Sequence, residues 1–97
     1  MSDSVSIIIA TRNRSKILAR CLAALPDGVR GAEPPEVIVV DDCSADGTRE
    51  VVEDFCRASG WQVIYRRQPS PLGANAARND GLSIARGAII VFIDDDV

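Results

Sequence analysis

Acidic side chains are grouped at two places in this 97-residue chain. Asp41 and Asp42 close one apolar run, and Asp94, Asp95 and Asp96 close another. Neighbouring carboxylates repel one another unless a cation or hydrogen-bond donors compensate their charge. A hard divalent cation that also bridges to phosphate oxygens meets this requirement. The two acidic groups therefore indicate a cation-assisted site for a phosphorylated ligand.

The residue types that are missing narrow the chemistry further. There is no histidine, and the three cysteines Cys21, Cys43 and Cys56 lack C-x-x-C spacing, which argues against a zinc site. The absence of histidine also excludes any Ser-His-Asp or Cys-His catalytic arrangement within this chain. Acid–base work falls to carboxylates. We expect the thiols to be reduced and mostly buried in a cytoplasmic protein.

The net charge also indicates which kinds of molecule the protein could bind. The formal net charge is −3, with 14 acidic and 11 basic residues. Without the five clustered aspartates, 9 acidic residues would face 11 basic ones, a balance of +2, so the negative surplus is local. An acidic chain argues against nucleic-acid binding, and no apolar run approaches the roughly 20 residues that span a bilayer.

Apolar runs of strand length alternate with stretches of helical period, a pattern typical of β-α-β units around a parallel sheet. The runs predict four strands, at Val5–Ala10, Val37–Asp41, Gln62–Arg66 and Ala88–Ile93. Three helices are predicted between them, at Ser15–Leu25, from Asp46-Gly47-Thr48 to near Gly60, and at about Ala74–Ala85 with Gly87 as its C-terminal cap.

We therefore expect a single α/β domain over residues 1–97, a Rossmann-like three-layer α/β/α fold with a parallel sheet of strand order 3-2-1-4. Strand 1 is then the point where the winding reverses, and ligands bind at its carboxyl end. The ends of strands 2 and 4 would lie ~10 Å apart across strand 1, since strands are ~4.8 Å apart. This gap suits a nucleotide.

Each of these signals also has a plain structural interpretation. Asp41-Asp42 could form a solvated turn in which Asp46 caps the second helix, and Asp94–Asp96 could be an exposed acidic tail. Arg78 and Asn79 could decorate a solvated helix face. Among nucleotide folds, the sequence lacks both the G-x-x-x-x-G-K-[ST] loop and a G-x-G-x-x-G after strand 1. The acidic pair of a receiver domain would follow strand 1, not strands 2 and 4.

Four segments, spread from Val5 to Val97, together resemble the N-terminal half of a family 2 glycosyltransferase with the GT-A fold. They are VSIIIATRNR, EVIVVDDCSADGT, PLGANAARNDGL and GAIIVFIDDDV. Their order and spacing carry the resemblance more specifically than any one of them alone.

The resemblance implies a nucleotide-sugar donor site. The segment that holds the base would be Ala10, Thr11, Arg12 and Asn13, where Ala10 and Arg12 replace the proline and tyrosine of the family pattern. Asp42 would hydrogen-bond the base, and the nucleoside and diphosphate would lie along Gly73, Asn75, Arg78 and Asn79. Of the D-x-D-like motif, Asp95 would face the ribose, Asp96 would coordinate Mn²⁺ or Mg²⁺, and Asp94 would support either.

The resemblance also implies an activity, the inverting transfer of a sugar from a UDP-, GDP- or dTDP-sugar to an acceptor. The catalytic base of such enzymes lies C-terminal of the D-x-D motif, so it is expected beyond Val97, and these 97 residues are expected to be inactive alone. We further expect the edge of strand 4 to self-associate. Two alternatives stay open: a non-catalytic nucleotide-binding or interaction domain, and a nucleotidyltransferase, whose usual glycine-rich loop after strand 1 is absent here.

Overall fold

The computed structural model describes residues 4–28 and 34–94. Four strands form one parallel sheet, namely β1 (Val5–Thr11), β2 (Glu36–Asp41), β3 (Val63–Arg67) and β4 (Ile89–Asp94). Three helices alternate with them, namely α1 (Ser15–Gly28), α2 (Thr48–Ser59) and α3 (Ala74–Ile84). The strand order is β3-β2-β1-β4, which confirms the predicted α/β class and strand order.

The central strands β1 and β2 are buried on both faces, which explains their continuous apolar sequences. One face carries Ile7, Ile9, Val37 and Val39 against Leu18 and Leu22 of α1 and Val52 of α2. The other face carries Ile8, Ile38 and Val40 against Ala77 of α3. The helices therefore form two layers around the sheet, as expected.

α3 lies unusually close to the sheet. A Cβ placed on Gly81 would lie 2.6 Å from Cγ2 of Ile8 and 3.3 Å from Cγ2 of Val40. Small residues at Ala77 and Gly81 therefore set how near this helix, and the loop before it, can come to the carboxyl ends of the strands.

Several predicted boundaries are wrong by one residue or more. β1 continues past Ala10 because Thr11 still pairs with Asp41, and β3 and β4 each lie one residue later than the apolar pattern predicted. α1 continues through Pro26, which was expected to end it. Proline lacks a backbone N–H, so α1 goes without one i→i−4 hydrogen bond at this position.

The prediction that Gly87 caps α3 is also wrong. The C-cap is Ala85, whose amide donates to the carbonyls of Gly81 and Leu82. Gly87 instead packs against the start of β1: its amide donates to Oγ of Ser6 at 2.8 Å, and a Cβ there would lie 2.6 Å from the backbone nitrogen of Ser6. Glycine is needed at this position because the α3–β4 connection touches the β1 backbone.

The three cysteines are half-buried rather than mostly buried. Cys21 and Cys56 pack at the margin of the core between α1 and α2, whereas Cys43 lies in the loop after β2. The expectation of mostly buried core thiols is therefore wrong in degree, since all three side chains are only partly buried.

Within residues 4–28 and 34–94, no helix combines the length and the apolar character needed to cross a bilayer. β4 has β1 as its only neighbour in the described sheet. Its side chains Ile89, Val91 and Phe92 are 46%, 38% and 49% exposed, so apolar surface remains on both faces of this edge strand.

Candidate functional site

The carboxyl ends of β1, β2 and β4 lie side by side at one edge of the sheet. Thr11 of β1 pairs with Asp41 of β2, and Ala10 pairs with Asp94 of β4. This confirms that strand 1 separates the two acidic strand ends. Asp95 and Asp96 lie outside the described residues.

Asp41 is buried, and both oxygens of its carboxylate accept hydrogen bonds from other residues of the chain. Its Oδ1 accepts from the amide of Ser44 at 2.8 Å, and its Oδ2 accepts from the hydroxyl of Tyr65 on β3. Desolvation and the adjacent Asp41 carboxylate raise the pKa of Tyr65, so the phenol stays a donor. Sequence reasoning missed Tyr65, because its position in a half-buried strand gives no sign of its partner.

Asp42 is also buried, with 5% of its surface exposed. Its Oδ1 accepts from the amide of Leu72 at 2.7 Å and its Oδ2 from the amide of Gly73 at 3.0 Å. The interpretation of Asp41-Asp42 as a solvated turn is therefore wrong: both carboxylates are withdrawn from water and compensated by donors.

The loop after β2, residues 42–47, is tied to the loop after β1. The amide of Asn13 donates to Oγ of Ser44, and Oδ1 of Asn13 accepts from the amide of Ala45, each at 2.8 Å. Asn13 adopts a left-handed conformation with φ 52°, which asparagine tolerates better than most residues. Asn13, expected to bind the ligand, thus joins two of the loops around the site.

Asp46 reinforces the same link. Its Oδ2 accepts from the amide of Ser15 at 3.1 Å, and its Oδ1 accepts from the hydroxyl of Thr48. Desolvation acts to raise the pKa of Asp46, but these hydrogen bonds outweigh it and lower the pKa below the ordinary aspartate value. The prediction that Asp46 caps α2 is wrong, because the N-cap is Gly47 without a side-chain bond. Asp46 caps the start of α1 instead.

On its other side, the loop after β2 holds the loop after β3, residues 68–73. The amide of Gln68 donates to the carbonyl of Asp41 at 2.8 Å, and the thiol of Cys43 donates to the carbonyl of Pro69 at 3.7 Å. The guanidinium of Arg67 donates to the carbonyl of Ser44 at 3.1 Å. The residues from Asp41 to Asp46 therefore fix the loops on both sides of them.

The residues from Asp41 to Asp46, together with the loops that they hold, are called the frame of the site. The remaining predicted ligand residues surround this frame. At the end of β1, Ala10 is half-buried, Thr11 is buried and Arg12 is exposed. On the first two turns of α3, the guanidinium of Arg78 donates to Oδ1 of Asn75 at 3.2 Å.

Asn79 is exposed on α3, as the solvated-face interpretation also expects. Gly73, with φ 96°, turns the chain into α3.

A divalent metal ion needs several side-chain ligands close together. Within the described residues, no group of three or more His, Cys, Asp or Glu side chains could hold one. The carboxylates of Asp41 and Asp42 serve internal donors, and the side chains of Asp94–Asp96, which the resemblance implies as metal ligands, lie outside the described part of the structure. Oxygen ligands of this type suit Mn²⁺ and Mg²⁺.

A pocket of about 310 Å³ lies between β3, the loop after it and α3. Arg66 forms two hydrogen bonds with the carboxylate of Asp80 across it, at 2.8 and 2.7 Å. Oε1 of Gln68 is buried there and has no hydrogen-bond partner in the described part of the chain. These residues carry no sequence motif, so sequence reasoning did not single them out.

The parallel sheet of order 3-2-1-4, with the loops after β1, β2 and β3 linked at its carboxyl edge, has the fold of GT-A, Rossmann-like glycosyltransferases. The model of the family described as Glycosyl transferase family 2 matches residues 6–97, and the chain belongs to that family.

Two curated relatives are similar over 95% of this chain. They are a poly(ribitol-phosphate) beta-glucosyltransferase of Bacillus spizizenii, 32% identical, and the glycosyltransferase AglE of Haloferax volcanii, 34% identical. The chain covers 14% and 30% of their respective lengths, so it spans less than a third of the relatives it matches.

Two solved structures share the fold. The mannosyltransferase PcManGT of Pyrobaculum calidifontis, in complex with GDP-Man and Mn²⁺, superposes with a TM-score of 0.90 at 26% identity, over 99% of this chain and 28% of that one. S. aureus TarS in complex with UDP-GlcNAc gives 0.85 at 30% identity, over 96% and 26%.

Proposed function

We propose that these 97 residues form one domain that binds the nucleotide-diphospho-sugar donor of a glycosyltransferase. The observation that carries the proposal is a set of hydrogen bonds at the carboxyl edge of the sheet. Through them, the residues from Asp41 to Asp46 hold the loops after β1 and β3 around the end of strand β1, where the winding of the chain reverses. Solved relatives of this fold contain GDP-Man or UDP-GlcNAc, which supports a nucleotide-sugar as the ligand.

The base would lie against Ala10, Thr11, Arg12 and Asn13, where the exposed guanidinium of Arg12 offers a planar surface for stacking. The diphosphate would follow the start of α3. Asn75 and Arg78 are already joined there, so they present one amide and one cation together, with Asn79 beside them. Asp94 and Asp95 would face the ribose.

Asp96 and Asp94 would hold Mn²⁺ or Mg²⁺. Held there, the ion would supply positive charge opposite the departing nucleoside diphosphate. The side chains of this chain bind and orient the donor: the buried frame keeps the loops in place, and the exposed residues at its rim contact the ligand.

We propose that transfer proceeds with inversion in a longer protein and that the 97 residues alone bind the donor without transferring its sugar. The catalytic base and acceptor site are assigned to residues beyond Val97. Release of free or transferred sugar from a donor by this chain alone, at a rate above the uncatalysed one, would contradict this assignment. We place the protein in the cytoplasm, where its three cysteines stay reduced.

Calorimetric titration tests the donor site directly. UDP, GDP and dTDP are each titrated with and without Mn²⁺ into the wild-type chain and into the Asp96→Ala variant. We expect binding of at least one diphosphate that Mn²⁺ strengthens and that Asp96→Ala abolishes. The matched control is Asp27→Ala, an exposed aspartate on α1, which should leave binding unchanged. If no diphosphate binds, the proposal fails and a non-catalytic interaction domain is favoured.

A further inference from the structure

The carboxylate of Asp42 holds two successive backbone amides across a gap of thirty residues in sequence. Leu72 and Gly73 each donate to one oxygen, at 2.7 and 3.0 Å. Asp42 itself is 5% exposed. Hydrogen bonds to an ionised acceptor are roughly twice as strong as those between neutral groups, so this contact is a major constraint on the loop after β3.

The same contact determines where α3 begins. Gly73 is the N-cap of α3, has φ 96° and supplies no side-chain cap. Its carbonyl accepts the first helical bond, from Ala77. Because Asp42 holds the amide of Gly73, it fixes the first turn of α3, which carries Asn75, and through it the Asn75–Arg78 pair.

We propose that Asp42 is a positioning residue, which supports donor binding by holding Leu72 and Gly73 so that α3 presents Asn75 and Arg78 to the ligand. This inference rests on the proposed function. It is separate from the role that the family resemblance implies for Asp42, a direct hydrogen bond to the base, since a carboxylate that accepts two amides keeps further acceptor sites. Only the positioning role affects a ligand whose base offers no ring N–H.

The Asp42→Asn variant separates the two roles. Asparagine keeps one acceptor oxygen but places a donor NH₂ group opposite the second amide, which breaks the paired contact. If Asp42 positions α3, the variant binds N3-methyl-UDP as well as UDP more weakly, roughly 10- to 100-fold, since the diphosphate contacts are weakened for both. If Asp42 only reads the base, UDP alone loses affinity, because the methyl group already blocks the ring N–H. The second result would overturn the proposal.

Amide hydrogen exchange without nucleotide gives a readout that does not depend on the donor site. We expect the amides of Leu72 and Gly73 to exchange at least about tenfold faster in Asp42→Asn, while the amide of Val39 in the buried strand β2 keeps its rate and shows that the fold is intact. In the wild type, both loop amides should also resonate downfield, a signature that the variant loses.

Ser70→Ala is the matched control, since Ser70 is an exposed residue of the same loop. This variant should leave exchange at Leu72 and Gly73 and affinity for both nucleotides unchanged. Unchanged exchange in Asp42→Asn would overturn the proposal even if UDP binds. Failure of the wild type to bind any diphosphate would instead count against the donor site, while the exchange data would still decide whether Asp42 holds the loop.

Discussion

The hydroxyl of Tyr65 donates to the buried carboxylate of Asp41, which joins β3 to the end of β2. The same carboxylate accepts the amide of Ser44, so Asp41 shapes the first turn of the loop after β2. A contact between two strands therefore anchors the loop after β2, whose residues hold the other loops of the candidate site.

Tyr65→Phe removes one donor from this buried carboxylate. We expect the free energy of unfolding to fall by about 1.5–3 kcal/mol, the contribution of a hydrogen bond to a charged group, as measured by urea titration. Arg49→Met is the control: it removes the guanidinium that lies 5.4 Å from the centre of the Tyr65 ring and should cost less than about 1 kcal/mol. Equal stability of Tyr65→Phe and wild type would contradict the account.

Glu36 makes the free energy of unfolding depend on pH in the acidic range. The amide of Arg86 and the hydroxyl of Ser6 donate to its carboxylate at 2.9 and 2.7 Å and lower the pKa of Glu36. A carboxylate whose pKa is lower in the folded than in the unfolded state contributes stability that is fully present above the unfolded pKa, about 4.5. That contribution is lost as the pH falls through the folded value.

Glu36→Gln should therefore flatten the dependence of unfolding free energy on pH below about 4.5 and have its largest effect at neutral pH. Urea unfolding at several pH values from 7 down to about 3 measures this. Glu53→Gln, at an exposed position on α2, is the control and should keep the wild-type slope. A wild-type slope in Glu36→Gln would show that its hydrogen bonds do not hold the ionised form.

Gly87→Ala should destabilise the fold. The added methyl would lie 2.6 Å from the backbone nitrogen of Ser6, and a backbone neighbour cannot move aside as a side chain can. We expect a loss of about 1–3 kcal/mol in thermal or urea unfolding. Gly47→Ala, whose methyl would meet only Oε2 of Glu50 at 3.5 Å, should change stability by less than about 0.5 kcal/mol. Equal effects of the two substitutions would contradict the close packing at Ser6.

The edge of β4 remains a predicted site of self-association. Phe92 is 49% exposed there, and an unpaired apolar edge strand can pair with another copy. Sedimentation velocity should show reversible, concentration-dependent association in the wild type that Phe92→Lys abolishes. Leu82→Lys, at a 46% exposed position on α3, should leave it intact. A wild type that stays monomeric at high concentration would refute the prediction.

The sheet could be predicted from sequence because its determinants are local. Continuous apolar runs mark β1 and β2, and parallel strands with right-handed crossovers leave few possible orders. The convergence of Asp41 and Asp94 beside β1 follows from that order alone.

The hydrogen bonds that connect the loops of the site could not be predicted, because they join residues far apart in sequence. Asn13 meets Ala45 and Asp46 meets Ser15 across 32 and 31 positions, and each of these side chains has an equally good local use as a ligand or a cap. Gly87 was misassigned for the same reason: a glycine after a helix usually caps it, whereas its contact with Ser6 lies 81 positions away.

The central claim is that a nucleoside diphosphate binds at the carboxyl ends of β1, β2 and β4. Amide chemical shifts of the isotope-labelled chain, recorded during titration with UDP or GDP in the presence of Mg²⁺, test it most directly. The account predicts saturable shifts at Thr11–Asn13, in the loop after β2 and from Gly73 to Asn79. Absence of saturable shifts, or shifts confined to the opposite edge around Val5, Glu36 and Ile89, would contradict it.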